Sequence, residues 1–402
     1  MNMARINRRR VLKTAGVGVA VAAAPLPRFA LASPAIDRRF VVIVQRGGMD
    51  GLAALPACGD PNFETARAGI AAPPPGSTGG ALALDSIFAL HPSLSEFATL
   101  YAAQSLLPIH AACIAYHGRS HFEAQNVLEN GSAVPYLLKS GWLNRALSAL
   151  PNSRDDLGIA IAQTMPVIMR GDAVITSWYP SILPQPDSDT IARIAAMYTA
   201  DPKLAAALAR ARSAHAVVSD TVAGARFVDL MAAAGELLAQ PQGPRVALIE
   251  STGWDTHANQ AANYGALTRN LRELNDGVAS LHAALDAAWA KTAVLIMTEF
   301  GRTVAMNGTA GTDHGTGGAA FLLGGAVAGG RVLADWPGLR PHDLYEGRDL
   351  RPTTDLRAVL KGVLAEHLGV PDAHIERLVF PNSADIKPSR DLIHSWSATP
   401  RA

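Results

Sequence analysis

The feature that most constrains the fold of this chain is a continuous apolar, β-branched run from Phe40 to Val44 that ends in a glycine-rich turn. A strand without polar alternation is typical of the middle of a parallel sheet, because both of its faces are covered there. Further apolar runs predict strands at residues 106–112, 245–249, 293–297 and 319–323.

Helical patterns separate these runs. Leucine and alanine periodicity predicts helices at residues 94–103, 203–240, 267–290 and 353–368. Alternating strands and helices predict an α/β fold, with a mostly parallel central sheet and helices on both faces. We expect one domain over residues 33–402, with a helical insertion around residues 155–240. Ligands of such sheets gather at the carboxyl ends of the strands.

The first 32 residues predict an export signal. Arg8, Arg9 and Arg10 form a twin-arginine box, an apolar run follows at residues 14–24, and a small-residue cleavage site lies at residues 30–32. The alternative, an N-terminal membrane anchor, fits less well because prolines interrupt the segment. We therefore expect a periplasmic or secreted protein whose mature part has no membrane span.

Charge and cysteine usage narrow the possible partners. The formal net charge is +1 with 17% charged residues, so no basic surface for nucleic acid is expected. Cys58 and Cys113 fit no metal motif. They are either a disulfide or two free thiols.

Four glycine-rich segments carry the chemically informative side chains. Two of them directly follow predicted strands. The candidate ligands in these segments are Asp50, Asp255 with His257, Glu299, and Asp313 with His314. Carboxylates and imidazoles presented by such loops are typical ligands of a hydrolytic metal site.

Each of these residues also has a simpler interpretation. Asp50 suits a turn or a helix cap. Asp255 suits a cap ahead of Ala258. Glu299 ends a buried strand, and an ion pair with Arg302 would satisfy its carboxylate. The glycines around His314 leave a segment too flexible to serve packing, which favours a functional interpretation there.

Ser120 is a candidate nucleophile. It lies between Arg119 and His121 at the predicted start of a helix, where backbone N–H groups favour an anion. A metal or a neighbouring base would lower the pKa of its hydroxyl. The alternative is an ordinary N-cap, and Glu123 three residues later fits a capping box.

At these residues the chain resembles a bacterial secreted family known as domain of unknown function 1501, a distant branch of the alkaline phosphatase/sulfatase superfamily. The motifs that carry the resemblance lie at residues 44–51, 118–125, 141–145, 253–260, 298–303, 312–318, 335–339 and 353–357. They span nearly the whole mature chain.

The resemblance implies one divalent metal at Asp255, His257 and His314, and a second at Asp50, Glu299 and the Ser120 oxygen. Phe300 stands where the superfamily has a further histidine; either His121 or Asp313 fills that place, or the second metal is absent. In an alternative alignment Asp313 and His314 are the superfamily's Asp–His pair, and its last histidine has no counterpart. Zinc is the first expectation for the ion, with Mn²⁺, Mg²⁺ or Ca²⁺ as alternatives.

The function that follows from this resemblance is a metal-dependent hydrolase of phosphate or sulfate esters. Ser120 would attack the ester, and Arg119, Arg302 or Arg46 would clamp a small anionic substrate. The alternative is a non-catalytic exported binding or assembly protein that keeps the fold, with or without a structural metal. The sequence identifies no protein partner.

Overall fold

The computed structural model describes residues 37–150, 156–181, 186–218, 226–260 and 265–395. The predicted signal peptide, residues 1–32, lies outside the described residues. The chain from residue 36 onward forms one compact unit.

The helices and strands follow one another along the chain in the α/β order that the sequence predicts. The strands are β1 (Arg39–Gln45), β2 (Leu82–Ala83), β3 (Ala89–Leu90), β4 (Leu106–Cys113), β5 (Gly158–Ile161), β6 (Ile175–Trp178), β7 (Val246–Ser251), β8 (Thr292–Thr298), β9 (Gly318–Leu323) and β10 (Thr354–Asp355). The α-helices are α1 (Gly51–Ala54), α2 (Phe63–Ala66), α3 (Ser95–Ala102), α4 (His121–Asn130), α5 (Trp142–Ser148), α6 (Ser188–Tyr198), α7 (Pro202–Val217), α8 (Phe227–Ala239), α9 (Ala266–Leu285), α10 (Leu356–Glu366) and α11 (Asp372–His374).

Eight strands form the central sheet, in the order β10-β4-β9-β8-β1-β7-β5-β6. Strand β1 lies in the middle and pairs in parallel with β7 and β8. Strand β9 is antiparallel to both of its neighbours, β4 and β8. The sheet is therefore mixed but mostly parallel, which confirms the predicted fold class. Because β9 runs backwards, its amino end lies at the same edge as the carboxyl ends of β1, β7 and β8.

Helices cover both faces of the sheet. Val41 and Ile43 belong to a core shared with helices α3, α8 and α9. Val42 and Val44 point the other way, into a core shared with α4, α5 and α10. Successive side chains of a strand alternate between faces, so a strand covered on both faces must be apolar throughout. This explains the unbroken apolar run from which the fold was predicted.

Two predictions about local structure need correction. Residues 155–240 are not simply a helical insertion, because β5 and β6 join the main sheet in parallel, beside β7. These strands have only four residues each, too short to give a clear apolar run. The capping box is also absent: Ser120 is the N-cap of α4 without a side-chain cap bond, and Glu123 accepts a hydrogen bond from Tyr116 instead.

Both cysteines are free thiols. Burial raises the pKa of Cys113 to about 12, so this thiol stays protonated at neutral pH. Within the described ranges, none of the helices has the length and apolar character that a bilayer span needs.

Candidate metal centre

The candidate site lies at the carboxyl edge of the central strands. Glu299 directly follows β8, and Asp255 comes four residues after the end of β7. His121 is the first residue of α4, and His314 precedes the amino end of β9. These residues are far apart in the sequence and meet because they follow the carboxyl ends of β4, β7 and β8, or precede the amino end of β9, all at the same edge of the sheet.

Glycines let these loops approach closely. Gly47 has a φ of +125°, and a Cβ there would lie 2.5 Å from the backbone nitrogen of Asp255. A Cβ at Gly301 would lie 1.9 Å from the carbonyl oxygen of Gly317. Side chains at these two positions would push the ligand-bearing loops apart, which is the physical reason for glycine there.

Three imidazoles and one carboxylate converge at this edge. The Nε2 atom of His314 lies 3.0 Å from Nε2 of His121 and 3.1 Å from Nε2 of His257. Asp255 Oδ1 lies 3.1 Å from Nε2 of His314 and 2.9 Å from Nε2 of His257. His121, Asp255 and His314 form a group of potential metal ligands whose donor atoms all lie within 4.8 Å of one another.

The second nitrogen of each ring is held by an acceptor. His314 Nδ1 donates to the backbone carbonyl of Arg119 at 2.9 Å. His121 Nδ1 lies 2.8 Å from Glu299 Oε1, and His257 Nδ1 lies 3.2 Å from Asp313 Oδ1. A carbonyl or an ionised carboxylate only accepts, so the ring hydrogens belong on Nδ1. Each Nε2 then carries a lone pair that points into the cluster.

This arrangement fits a bound cation. Lone pairs 3.0–3.1 Å apart repel unless a positive charge lies between them. A proton can bridge one pair of nitrogens, whereas a metal ion can serve His121, His314 and the carboxylate of Asp255 together. Imidazoles held through their other nitrogen by a carboxylate or a carbonyl are the usual surroundings of a metal. The residues present therefore fit the divalent ion that the sequence predicts.

Glu299 is placed next to a ligand rather than among the ligands. Its Oε1 accepts from His121, from the backbone N–H of Gly47 at 2.9 Å and from Gln125 at 3.0 Å. Burial alone would raise the pKa of Glu299, but these hydrogen bonds outweigh it and lower the pKa. The hydrogen bond to Glu299 in turn raises the pKa of His121. The alternative ion pair of Glu299 with Arg302 is not formed.

Arg302 instead holds the ligand Asp255. Its NH1 lies 2.7 Å from Asp255 Oδ1, and its side chain is fully buried. Burial would raise the pKa of Asp255, but the Arg302 guanidinium outweighs it and lowers the pKa. Arg302 also donates from Nε to the Thr312 hydroxyl at 3.3 Å. The guanidinium therefore keeps Asp255 ionised and oriented.

Asp50 lies outside this cluster and caps a helix, as its simpler interpretation predicts. It is the N-cap of helix α1, and its Oδ1 accepts from the backbone N–H of Ala53 at 3.1 Å. Its Oδ2 forms a buried ion pair with Arg67 at 2.7 Å and also accepts from Gln260. Both oxygens of Asp50 thus have protein partners, as do both oxygens of Glu299. The second metal site implied at Asp50, Glu299 and Ser120 stays a prediction.

The arginines expected to clamp a substrate are paired with carboxylates. Arg119 NH2 lies 2.7 Å from Glu346 and 2.8 Å from Asp349. Arg46 pairs with Glu129 at 2.7 Å and also with Glu250. Since Arg302 pairs with Asp255, none of the three presents an unpaired charge.

Ser120 is flanked by residues of the centre on both sides. The carbonyl of Arg119 holds His314, and His121 is itself a candidate ligand. The Ser120 side chain is half-buried and makes no capping hydrogen bond to α4. Its role as a nucleophile beside the metal site stays a prediction. Among the residues that the structure describes, the Ser120 hydroxyl has no hydrogen-bond partner.

The structure also shows partners that the sequence did not single out. Asp349 is fully buried between Arg119 and Arg348, and Arg348 also donates to the carbonyl of His314. Gln125, one turn after His121 on α4, donates from Nε2 to Glu299 Oε1. Gln125 has a sequence signal, since it lies four residues after His121, but Asp349 lies in a segment without any motif.

Comparisons with known proteins place the chain in a family. The family described as "Protein of unknown function (DUF1501)" matches residues 117–379. No curated protein matches the sequence.

Several solved structures are similar at low identity. The C-terminal periplasmic domain of EcEptC from Escherichia coli, in complex with Zn, is 12% identical, with 71% of this chain and 72% of that chain covered and a TM-score of 0.35. The phosphonate monoester hydrolase of Agrobacterium radiobacter is 10% identical, with coverages of 83% and 74% and a TM-score of 0.38. A protein in the alkaline phosphatase superfamily from Vibrio parahaemolyticus is 10% identical, with coverages of 73% and 62% and a TM-score of 0.36.

These similarities concern the fold alone. The family match covers more than half of the chain and includes His121, Asp255, His257, Glu299 and His314. By this match, the chain belongs to the DUF1501 family of proteins of unknown function.

Proposed function

We propose that this protein binds one divalent metal ion at the cluster of His121, Asp255 and His314, with His257 beside them, and hydrolyses phosphate or sulfate esters there. The observation that carries the proposal is the convergence of three Nε2 atoms and one carboxylate oxygen, with each imidazole held through Nδ1. Glu299, Asp313 and the Arg119 carbonyl are positioning groups in this proposal.

Zinc suits this set of ligands best. Neutral imidazoles together with a carboxylate are typical of zinc, whereas Mg²⁺ and Ca²⁺ prefer oxygen ligands. Mn²⁺ remains the main alternative. When bound, the ion would supply Lewis-acid polarisation of an ester oxygen. The ligands are accessible from solvent, since the side chains of Asp255 and His257 are 42% and 44% exposed.

Ser120 is the proposed nucleophile. Its hydroxyl is free of a capping bond and precedes the ligand His121 at the start of α4. The backbone N–H groups of the first turn of that helix have no intrahelical acceptors and favour negative charge on an attacking oxygen. The anionic head of the ester would approach from the exposed side of Asp255 and His257.

Two measurements test this function. Elemental analysis of the purified protein should find about one zinc ion per chain. A screen with aryl phosphate, phosphonate and sulfate esters, with and without chelator, should show turnover that the chelator removes. Ser120→Ala should abolish turnover and keep the metal, while Ser188→Ala, at the first position of exposed helix α6, should change neither. Full activity of Ser120→Ala would reject the nucleophile assignment.

A second function is a non-catalytic binding or assembly protein with a structural metal. The pairing of Arg46, Arg119 and Arg302 with carboxylates favours it, because none of these cations is left for an anionic substrate. In that case chelation would lower the melting temperature sharply, and no ester would be hydrolysed.

Export by the twin-arginine pathway is also part of the proposal. Replacing Arg8 and Arg9 by lysine should leave the protein in the cytoplasm, as measured by cell fractionation. Periplasmic protein from this variant would reject the pathway.

A further inference from the structure

Four exposed apolar side chains lie on helix α4, which begins at the candidate ligand His121, and in the loop that follows it. This apolar surface consists of Phe122, which is 83% exposed, and of Val134, Tyr136 and Leu137, which are 55–62% exposed. The described part of the chain has nine exposed large hydrophobic side chains, and these four fall within residues 122–137. A concentration of this kind marks a binding surface more often than scattered single residues do.

Hydrogen bonds hold this surface together. Asn126 lies one turn after Phe122 on α4, and positions four apart share a helix face. The side-chain oxygen of Asn126 accepts the backbone N–H of Tyr136 at 2.6 Å and the side-chain N–H of Asn130 at 2.8 Å. The loop after α4 is therefore folded back along the helix, towards the end that carries Phe122.

The surface adjoins the metal centre through the chain itself. Phe122 directly follows His121, whose Nε2 points into the cluster of ligands. The two side chains leave neighbouring positions in the first turn of α4, so Phe122 lies one residue from the cluster, on an adjoining side of the helix. A molecule held at the ligands of the metal and extending along α4 would meet Phe122 first and Tyr136 next.

The arginines of the site add little to the binding of an anionic substrate. The guanidinium groups of Arg46, Arg119 and Arg302 are paired with carboxylates, so they add little to the binding of an anion. Affinity beyond that of the metal must then come from other contacts. The exposed apolar side chains can provide this additional affinity. Burial of each methylene contributes about 0.8 kcal/mol, or roughly fourfold in affinity.

We propose that the surface of Phe122, Val134, Tyr136 and Leu137 binds the apolar group of an ester whose anionic head lies at the metal centre. The substrate class is thus an alkyl or aryl ester of phosphoric, phosphonic or sulfuric acid, rather than a small hydrophilic ester. This inference rests on the proposed function and adds the part of the substrate that the metal does not contact.

Binding of non-hydrolysable ligands to the zinc-loaded protein tests this inference. Titration calorimetry would compare methylphosphonate with hexylphosphonate, which share the head group. We expect hexylphosphonate to bind at least about tenfold more tightly, since several methylenes become buried. Phe122→Ser and Tyr136→Ser should each remove much of this advantage and leave methylphosphonate affinity and zinc content unchanged.

A matched control is Met197→Ser. Met197 is 77% exposed and lies on α6. Helix α6 contacts α7, and α7 contacts β6, the strand at one edge of the sheet. This variant should bind both phosphonates as the unmodified protein does. An equal loss of hexylphosphonate affinity in Met197→Ser would overturn the assignment to this surface.

The outcomes separate the inference from the proposed function. If neither phosphonate binds the zinc-loaded protein, the proposed function fails and the inference fails with it. If both bind equally, or if the Phe122 and Tyr136 variants keep the difference, only the inference is wrong. A change in sedimentation of the Phe122 variant, with ligand affinities unchanged, would mean that the surface is a subunit interface and would also reject the inference.

Discussion

The Nδ1 atom of His121 lies 2.8 Å from Oε1 of Glu299, a carboxylate with no solvent exposure. This contact decides which nitrogen of His121 faces the other ligands. Because Glu299 accepts from Nδ1, the lone pair on Nε2 is free for a metal, and the buried carboxylate stabilises the ring in that orientation.

Replacing Glu299 tests this relationship. We expect Glu299→Gln to weaken zinc binding by about 10–100-fold, because outer partners of a metal ligand typically contribute that much. Competition with a chromogenic chelator would measure the affinity. Glu250→Gln, which alters a carboxylate paired with Arg46, should bind zinc normally. Unchanged zinc affinity in Glu299→Gln would contradict the positioning role.

Arg302 should matter in a similar way through Asp255. We expect Arg302→Lys to weaken zinc binding by roughly tenfold, since a lysine cannot contact Asp255 and Thr312 with a fixed planar fork. The control is Arg340→Lys, which changes an exposed arginine paired with Asp343. Equal zinc affinities of the two variants would show that Asp255 needs no such support.

Asp50 should matter for stability and leave metal binding unaffected. In Asp50→Asn the charge of buried Arg67 loses its counter-ion, which we expect to lower the free energy of unfolding by about 3–5 kcal/mol. Urea denaturation would measure this loss. The double variant Asp50→Asn with Arg67→Gln should recover part of it, because no unpaired charge remains. Loss of half of the bound metal in Asp50→Asn would instead support Asp50 as a ligand of a second ion.

Stability should fall on mild acidification. His110 is fully buried; its Nδ1 accepts from the Ala111 N–H, and its Nε2 donates to the Leu55 carbonyl. Burial lowers the pKa of His110 to about 4, against about 6.5 in the unfolded chain. The unfolded state therefore binds the proton first as the pH falls, and stability is lost between about pH 6.5 and pH 4.

The expected loss for His110 is roughly 3 kcal/mol once the pH reaches about 4. His367 has the same lowered pKa and should add a similar loss. Urea denaturation at several pH values would show the slope, and His110→Gln should reduce it. His342→Gln, at a position with a 70% exposed side chain, should leave it unchanged. An identical slope in His110→Gln would mean that other groups cause the acid sensitivity.

The fold was largely predictable because its signals are local. The apolar run of β1 requires cover on both faces, and the helical periodicity between the runs supplies that cover. Strands β5 and β6 could not be recognised, since four residues carry too little pattern. Their place in the sheet comes from pairing with β7, a contact over many intervening residues.

The candidate site was predictable in its residue types and only partly in their roles. The sequence by itself determined that Asp255, His257 and His314 stand among glycines near strand ends, because such motifs follow from local composition. Only the tertiary structure decided that His121 joins them, that Glu299 holds His121, and that Asp50 pairs with Arg67. Those assignments depend on which side chains meet across the edge of the sheet, and pairings between distant segments are fixed by packing and charge compensation rather than by neighbours in the chain.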